Sequence, residues 1–125
     1  MLALTVSAFS GSATISPVAQ SSNPTLTTTA IEIGIASYYG AKYHGKLTAS
    51  GEVFNMNDFT AAHPRLAFGT RIKVTHLENN RSVFVRVNDR GPFIKGRMID
   101  LSQAAATALQ MDKRGLAQVK LEVVE

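Results

Sequence analysis

The chain contains no cysteine and no tryptophan, and its three histidines are widely separated. Without cysteine, a disulfide framework, a thiolate nucleophile and a thiolate zinc site are all excluded. Three distant histidines lack the short spacing typical of metal ligands, so we predict neither a metal nor a cofactor. Aromatic residues make up only 7% of the chain, which predicts a core of Val, Ile, Leu and Ala.

Basic residues are in slight excess but are not concentrated anywhere. The formal net charge is +4 and the pI is about 9.7, which suits an anionic partner such as nucleic acid, a lipid surface or an acidic cell-wall polymer. Because Lys and Arg never form a block of five or six, the pattern disfavours nucleic acid, and we expect no nucleic-acid partner.

Residues 1–30 contain no Lys, Arg, Asp or Glu. They begin apolar and become rich in Ser, Thr, Ala and Pro, which resembles a secretory signal cut near Ala13 or Ala19, although the positive n-region is missing. A disordered Ser/Thr-rich leader is the alternative. The apolar run is too short to span a bilayer, so we expect no integral membrane segment. We predict a signal-like segment and linker over 1–30 and one folded domain over 31–125.

Alternating apolar and polar residues predict strands in the folded part. "IEIGIASYYG" (31–40) begins it, and "TRIKVTHL" (70–77), "NRSVFVRV" (80–87) and "LAQVKLEVV" (116–124) alternate clearly. The residues "ENN" (78–80), between the runs that begin at residues 70 and 80, form a good hairpin turn, because Asn tolerates positive φ. One helix follows Ser102, whose hydroxyl can cap its first turn. Its predicted buried face consists of Ala105, Ala108, Leu109 and Met111, and Gly115 marks the return to strand. Closure into a small barrel would remove exposed edges.

Polar groups collect at three places outside the alternating segments. The long segment 41–69 holds one set, Asn88, Asp89 and Arg90 form the second, and Asp100 is the third. Each has a structural alternative: Asp100 as a helix-end acceptor, Glu52 as a solvated turn residue. The polar residues of segment 41–69 are His44, Thr48, Ser50, Glu52, Asn55, Asp58 and His63.

Carboxylates are the credible reactive groups. No Ser lies in a Gly-x-Ser-x-Gly context and no Gly-rich phosphate loop is present. A carboxylic acid in a partly apolar cleft can protonate a leaving oxygen, as in glycosidic bond cleavage. From the residues alone, the prediction ends at a β-barrel with acidic and histidine groups gathered in its loops.

Six motifs in fixed order carry a resemblance to a known family. They are "ASYYG", "HGKLTASGE", "TAAH", "LAFGT", "VNDRGPF" and "IDLS". Together they resemble the rare lipoprotein A family of bacterial cell-wall proteins over about residues 33–123. The resemblance implies a mainly all-β, six-stranded double-psi β-barrel with one short α-helix and long loops. It also implies an endolytic lytic transglycosylase acting on peptidoglycan glycan strands, preferably peptide-stripped, that leaves 1,6-anhydro-muramyl ends.

The same resemblance implies site residues. The acids of the matching motifs fall on Asp89, Glu52 and Asp100, and the histidine on His63. We expect Asp89 to be the general acid, with Asp100 as its rival. One departure is Asn55, where many members have an Asp that lies three residues after the Glu. The expected substrate-binding residues are Tyr39, His44, Thr48, Asn55, Asn88 and Arg90.

The resemblance leaves the function open between classes. The alternative to an enzyme is a non-catalytic, expansin-like module that binds or loosens the wall, and a third is a secreted inhibitor or partner-binding barrel. The resemblance implies a secreted or periplasmic protein, and we expect a monomer. Because the chain has no cysteine, we expect that it is not a lipoprotein.

Overall fold

A computed structural model describes residues 28–124 of the protein. The predicted signal-like segment, its cleavage points and most of the predicted linker lie outside the described residues. The first strand begins at Thr28, three residues before the predicted start of the domain. The described elements are β1 Thr28–Tyr38, a 3-10 turn Ala41–Tyr43, β2 Thr60–Ala62, β3 Arg71–His76, β4 Ser82–Asp89, β5 Arg97–Leu101, α1 Gln103–Ala108 and β6 Ala117–Val124.

The six strands close into a barrel in the order β1-β5-β2-β4-β3-β6. β1 runs parallel to β5, and β2 runs parallel to β4, while the other neighbours are antiparallel. Because each strand within residues 28–124 has two neighbours, this part of the chain leaves no strand edge open to pair with another chain. The predicted six-stranded, mainly β barrel with one short helix and long loops is confirmed.

Alternating burial follows the predicted faces. Ile72 and Val74 of β3 are fully buried, as are Val87 of β4 and Val119 of β6. β3 and β4 form the predicted hairpin, and Asn80 in its turn has a φ of 61°. His76 is also buried, and its Nδ1 accepts a hydrogen bond from the Glu78 amide. The histidine therefore closes the turn, as a structural residue does.

Helix α1 begins at the predicted cap. The Ser102 hydroxyl accepts from the Ala105 amide at 3.3 Å and donates to the Asp58 carbonyl at 2.6 Å. Ala105 is buried as predicted, but Ala108 is only half-buried, and Ala106 is buried instead. The six-residue helix packs against both β1 and β4, so two consecutive alanines face the core. In the part of the chain that the structure describes, no helix is long and apolar enough to cross a membrane.

Candidate functional site

Two carboxylates lie on one row across the barrel wall. Ala62 of β2 is the register partner of Asp100 on β5 and of Asp89 on β4. Asp89 and Asp100 are therefore two strand spacings apart, roughly 9–10 Å between their Cα atoms. Ala62 lies between them on this row, and its side chain is a single methyl group. Both carboxylates border the same cleft.

A β-bulge positions the first of these carboxylates. Ala61 pairs with Val87 and Ala62 pairs with Asp89, so Asn88 is an extra residue in β4. Asn88 is 2% exposed, and its Nδ2 donates to Glu52. Bulges bend a strand and redirect the side chains next to them. Here the bulge lies directly before Asp89, at the carboxyl end of β4.

Three donors hold the Asp89 carboxylate. Its Oδ1 accepts from the backbone amides of Ala49 and Arg90, each at 2.9 Å. Its Oδ2 accepts from the Tyr39 hydroxyl at 3.0 Å. An ionised carboxylate is an acceptor only, so all three donors suit that form. The carboxylate joins the end of β4 to β1 and to the loop that precedes Gly51.

Tyr39 lies close enough to both acids for their charges to affect its pKa. Burial raises the pKa of Tyr39 well above its ordinary value, and the charges of Asp89 and Asp100 raise it further. The hydroxyl therefore stays protonated and remains a donor at any physiological pH. The ring packs edge-on against Phe54 at 4.9 Å and Tyr43 at 5.6 Å between centroids, which fixes its direction.

Asp100 has fewer partners than Asp89. The Ser37 hydroxyl, on the register-paired residue of β1, donates to its Oδ1. Among the described residues its Oδ2 has no hydrogen-bond partner. The alternative in which Asp100 satisfies helix-end amides does not hold, because Ser102 bonds the Ala105 amide and Asp100 bonds Ser37.

The cleft around the two acids has a volume of about 390 Å³ and is open to solvent. Its rim carries apolar side chains from two loops: Leu47 is 74% exposed and Phe93 is 81% exposed. Apart from the two acids, the charged residues of its lining are the three cations Lys46, Arg90 and Arg97. The lining residues are Ser37, Tyr38, Tyr39, Tyr43, Lys46, Leu47, Thr48, Phe54, Asp89, Arg90, Gly91, Pro92, Phe93, Ile94, Arg97 and Asp100. An elongated polar ligand with apolar faces fits such a cleft.

Glu52 was expected in the catalytic set, but it does not line the cleft. Its carboxylate forms a two-point ion pair with Arg86, with one contact at 3.0 Å, and also accepts from Asn88. The hydrogen bonds from Arg86, followed by that from Asn88, lower the pKa of Glu52. The pairing holds Glu52 against β4. The ion pair therefore holds the loop that carries Ala49 in place. The Glu52 carboxylate makes no hydrogen bond that involves Asp89.

His63, also expected in the catalytic set, is 1% exposed and likewise lies outside the cleft lining. Its Nδ1 accepts from the amides of Arg65 and Leu66, each at 3.1 Å. Its Nε2 is then the protonated nitrogen and donates to Glu32 at 2.9 Å. The backbone of His63 does reach the site, because its carbonyl accepts from the Arg90 guanidinium at 3.1 Å.

The expected binding residues divide into two groups. Tyr39, Thr48 and Arg90 line the cleft. Arg90 also lies 4.1 Å above the Phe68 ring. The other three do not line it, and they are His44, Asn55 and Asn88.

The non-lining residues make local bonds instead. His44 Nδ1 accepts from the Met56 amide, and Asn55 Oδ1 accepts from the Asn57 amide. The replacement of an acid by Asn55 therefore removes no charge from the cleft lining.

Sequence reasoning missed the lining residues Ser37 and Arg97, and also one long-range contact outside the lining. Ser37 was inside the quoted "ASYYG" motif, and its side chain points to the same face as Tyr39, two residues on. Arg97 lies two residues before the "IDLS" motif, but no pattern distinguished it from the other scattered basic residues. Glu32, the partner of His63, lies 31 residues away in sequence, and local spacing gives no sign of the contact.

Sequence comparison relates the domain to proteins of the bacterial cell wall. A family described as "Lytic transglycolase" matches residues 31–121. A probable endolytic peptidoglycan transglycosylase RlpA of Synechocystis is 56% identical over 95 residues, which is 76% of this chain and 30% of the relative. The endolytic peptidoglycan transglycosylase RlpA of Campylobacter jejuni is 56% identical over 73% of this chain and 33% of its own length. This chain thus spans about a third of these relatives.

Solved structures with a similar fold have weak sequence similarity. Streptomyces papain inhibitor superimposes with a TM-score of 0.64 at 24% identity, covering 80% of this chain and 99% of the inhibitor. An expansin of Clavibacter michiganensis gives a TM-score of 0.62 at 20% identity, covering 77% of this chain and 51% of the expansin. These matches bear on the barrel alone, which is the predicted double-psi β-barrel.

Proposed function

The chain belongs to the lytic transglycolase family, and we propose that it cleaves the bond between N-acetylmuramic acid and N-acetylglucosamine in peptidoglycan glycan strands. The product end is a 1,6-anhydro-muramyl sugar. The observation that carries this proposal is the pair Asp89 and Asp100 on one row of an open cleft. A protein with this activity works in the cell envelope, as a secreted or periplasmic protein.

The hydrogen bonds favour a division of labour between the two acids. A general acid needs an oxygen that is free to face the leaving group. Asp100 keeps Oδ2 without a partner among the described residues, whereas both oxygens of Asp89 accept from fixed donors. We therefore assign the acid to Asp100 and the base to Asp89, whereas the sequence favoured Asp89 over Asp100 as the general acid.

The proposed reaction consumes no water. The Asp100 carboxyl gives its proton to the bridging oxygen, and the bond from muramyl C1 to that oxygen breaks. The C6 hydroxyl oxygen of the same sugar bonds to C1, and its proton passes to the Asp89 carboxylate. A proton then returns from Asp89 to Asp100 through solvent. The two substrate oxygens lie on different atoms of one sugar, which suits two acids separated by a small residue.

Glu52, His63 and Tyr39 support this pair without touching the substrate. Glu52 and Arg86 fasten the loop whose Ala49 amide bonds Asp89. His63 orders the turn after β2 and holds Arg90 through its carbonyl. Tyr39 fixes Asp89 directly. We propose that Glu52 and His63 are positioning residues, and that Thr48 and Arg90 contact the glycan.

Asparagine substitutions test the assignment. We expect Asp89→Asn and Asp100→Asn each to lower release of soluble glycan by roughly 10²- to 10⁴-fold, with thermal unfolding unchanged. A nitrophenyl glycoside of the disaccharide has a leaving group that needs little protonation. It should therefore restore turnover in Asp100→Asn far more than in Asp89→Asn. The matched control is Asp58→Asn, an exposed acid outside the cleft lining.

The outcomes separate the alternatives. Equal rescue of both variants would contradict the division of roles, and full activity in both would remove the pair from the mechanism. Binding of peptidoglycan without any turnover by the unmodified protein would reject the enzyme and favour a wall-binding module.

A further inference from the structure

Five aromatic residues line the cleft around the two acids, and most of them are occupied by protein contacts. They are Tyr38, Tyr39, Tyr43, Phe54 and Phe93. Phe54 is buried, and Tyr38 packs against the core. Tyr39 contacts Phe54 and Tyr43 edge-on, and the Lys42 ammonium lies 5.5 Å from the centre of the Tyr43 ring. Every one of these rings except Phe93 is therefore engaged within the protein.

Phe93 is the most exposed large apolar residue of the part of the chain that the structure describes, at 81%. Within residues 28–124 its ring belongs to no aromatic pair and lies beneath no cation. A single exposed apolar side chain needs no explanation, but Leu47 and Ile94, 74% and 58% exposed, line the same cleft. An apolar cluster at the mouth of a partly polar cleft is typical of a ligand site.

The segment that carries Phe93 is fixed next to one of the acids. The Arg90 guanidinium is held by the His63 carbonyl, and Gly91 has a φ of 110°, which other residues rarely adopt. A Cβ atom on Gly91 would lie 3.7 Å from the Phe93 ring, so the ring lies beside this backbone. Since four residues span at most about 14 Å, one ligand can contact both Phe93 and Asp89.

The loop that carries Leu47 is also held in place. The Gly45 amide donates to the Phe54 carbonyl at 2.8 Å, and the Thr48 amide donates to the Glu52 carbonyl at 2.8 Å. Leu47 pairs with Val53 between these two bonds. Both apolar contacts therefore lie on loops with fixed backbones, so less conformational entropy is lost when a ligand binds there.

We propose that Phe93 is a stacking surface for one sugar ring of the glycan strand, with Leu47 as a second apolar contact to the strand. The inference rests on the proposed function, since the ligand is the glycan that the two acids would cleave. A pyranose ring carries C–H groups on its faces and hydroxyls around its edge. The electronegative face of an aromatic ring suits those C–H groups, and the hydroxyls remain available to the polar residues of the cleft.

The size of the apolar cluster favours a sugar over a protein partner. A stable protein interface buries roughly 1,000 Å² or more in total, whereas this cluster consists of Phe93, Ile94 and Leu47 around an open cleft of about 390 Å³. The cluster is also continuous with the lining that contains Asp89 and Asp100. A strand that lies across the two acids would therefore meet the Phe93 ring.

The absence of tryptophan from the sequence makes a direct test possible. Phe93→Trp keeps an aromatic face and introduces a single fluorescent reporter, and combining it with Asp100→Asn prevents cleavage during the measurement. Titration with peptide-free glycan strands should shift the emission to shorter wavelength, and the shift should saturate. Phe59→Trp in the same background is the matched control, because Phe59 is 48% exposed and does not line the cleft. Its emission should not change, and an unchanged emission from Phe93→Trp would overturn the proposal.

Two further variants separate stacking from general apolar contact. In the Asp100→Asn background, we expect Phe93→Ala to weaken glycan affinity in calorimetry by roughly tenfold to a hundredfold, the range for burial of a large apolar side chain. Phe93→Leu should recover only a small part of this loss, because it has no ring, and Leu47→Ala should lose less than Phe93→Ala. Thermal unfolding should be unchanged, since both side chains are exposed. Full affinity in Phe93→Leu would show that no ring stacks there and would contradict the proposal.

These binding measurements do not depend on cleavage, so the two proposals can fail separately. If the unmodified protein cleaves no glycan but Phe93→Ala still loses affinity, the stacking surface is supported and the transglycosylase assignment fails. If Phe93→Ala, with Asp100 intact, cleaves glycan with unchanged kcat and KM, the enzyme assignment stands and the stacking surface is wrong.

Discussion

The Tyr39 hydroxyl donates a 3.0 Å hydrogen bond to Asp89 Oδ2 across 50 residues of sequence. This bond joins the end of β1 to the end of β4, two strands that are not neighbours in the barrel. Burial and the nearby carboxylates keep the pKa of Tyr39 above its ordinary value, so the donor is permanent. The orientation of the proposed base therefore depends on a residue that does no proton transfer itself.

Removal of the Tyr39 hydroxyl should lower the turnover number more than it lowers the affinity for the glycan. We expect Tyr39→Phe to lower kcat by roughly tenfold, the lower range for loss of a hydrogen bond to a charged group, with KM nearly unchanged. Asp89 keeps its two backbone donors, so the loss should be smaller than in Asp89→Asn. Steady-state kinetics on glycan strands measures both constants. Tyr43→Phe is the control, because that ring packs on Tyr39 but its hydroxyl bonds neither acid. An unchanged kcat in Tyr39→Phe would show that this bond does not matter for the reaction.

The buried histidine should affect stability through its acceptor nitrogen. His63→Leu leaves the amides of Arg65 and Leu66 without their acceptor, and we expect a loss of about 2–4 kcal/mol in the free energy of unfolding. His63→Asn should lose less, because a short amide side chain accepts from amides two and three residues ahead. Urea unfolding of the two variants gives the comparison. Equal losses in both would contradict the role assigned to Nδ1.

The Glu52–Arg86 pair predicts a pH dependence of stability. Hydrogen bonds from Arg86 lower the pKa of Glu52 in the folded protein. A lowered folded pKa contributes stability above the unfolded pKa, and this stability is lost as the pH falls through the folded pKa. The pair is exposed, so we expect Glu52→Gln to cost less than about 1 kcal/mol at neutral pH.

The difference between the unmodified protein and Glu52→Gln should shrink as the pH drops below the ordinary range of a glutamate. Urea unfolding at about pH 7 and about pH 3 measures it. A difference that grows in acid would contradict the sign of the predicted effect.

Part of the fold was readable because its signals are local. Ile72 and Val74 alternate with polar neighbours, and Ser102 precedes a run of helix formers. β2 has only three residues, all buried, so it shows no alternation that could reveal it. The alternation in β5 is also too short to recognise, because a bulge at Met98 interrupts its pairing with β1 and leaves only the residues after it in regular register.

The site could be predicted from the sequence only in part, because contacts between residues far apart in the chain determine its geometry. Asp89 and Asp100 lie in motifs, but their common partner Ala62 is set by strand register. The partners of Glu52 and His63 are 34 and 31 residues away, Arg86 and Glu32. These long-range pairs direct the two side chains away from the cleft, which no spacing in the sequence predicts.

The most direct test of the account is the chemistry of the newly formed glycan end. Purified protein is incubated with peptide-free glycan strands, and the soluble fragments are analysed by mass spectrometry with Asp100→Asn as the inactive control. The account predicts 1,6-anhydro-muramyl ends, which are one water lighter than hydrolysis products, and none with the variant. Reducing muramyl ends would mean that water attacks C1. That result would contradict the transfer of the C6 hydroxyl proton to Asp89.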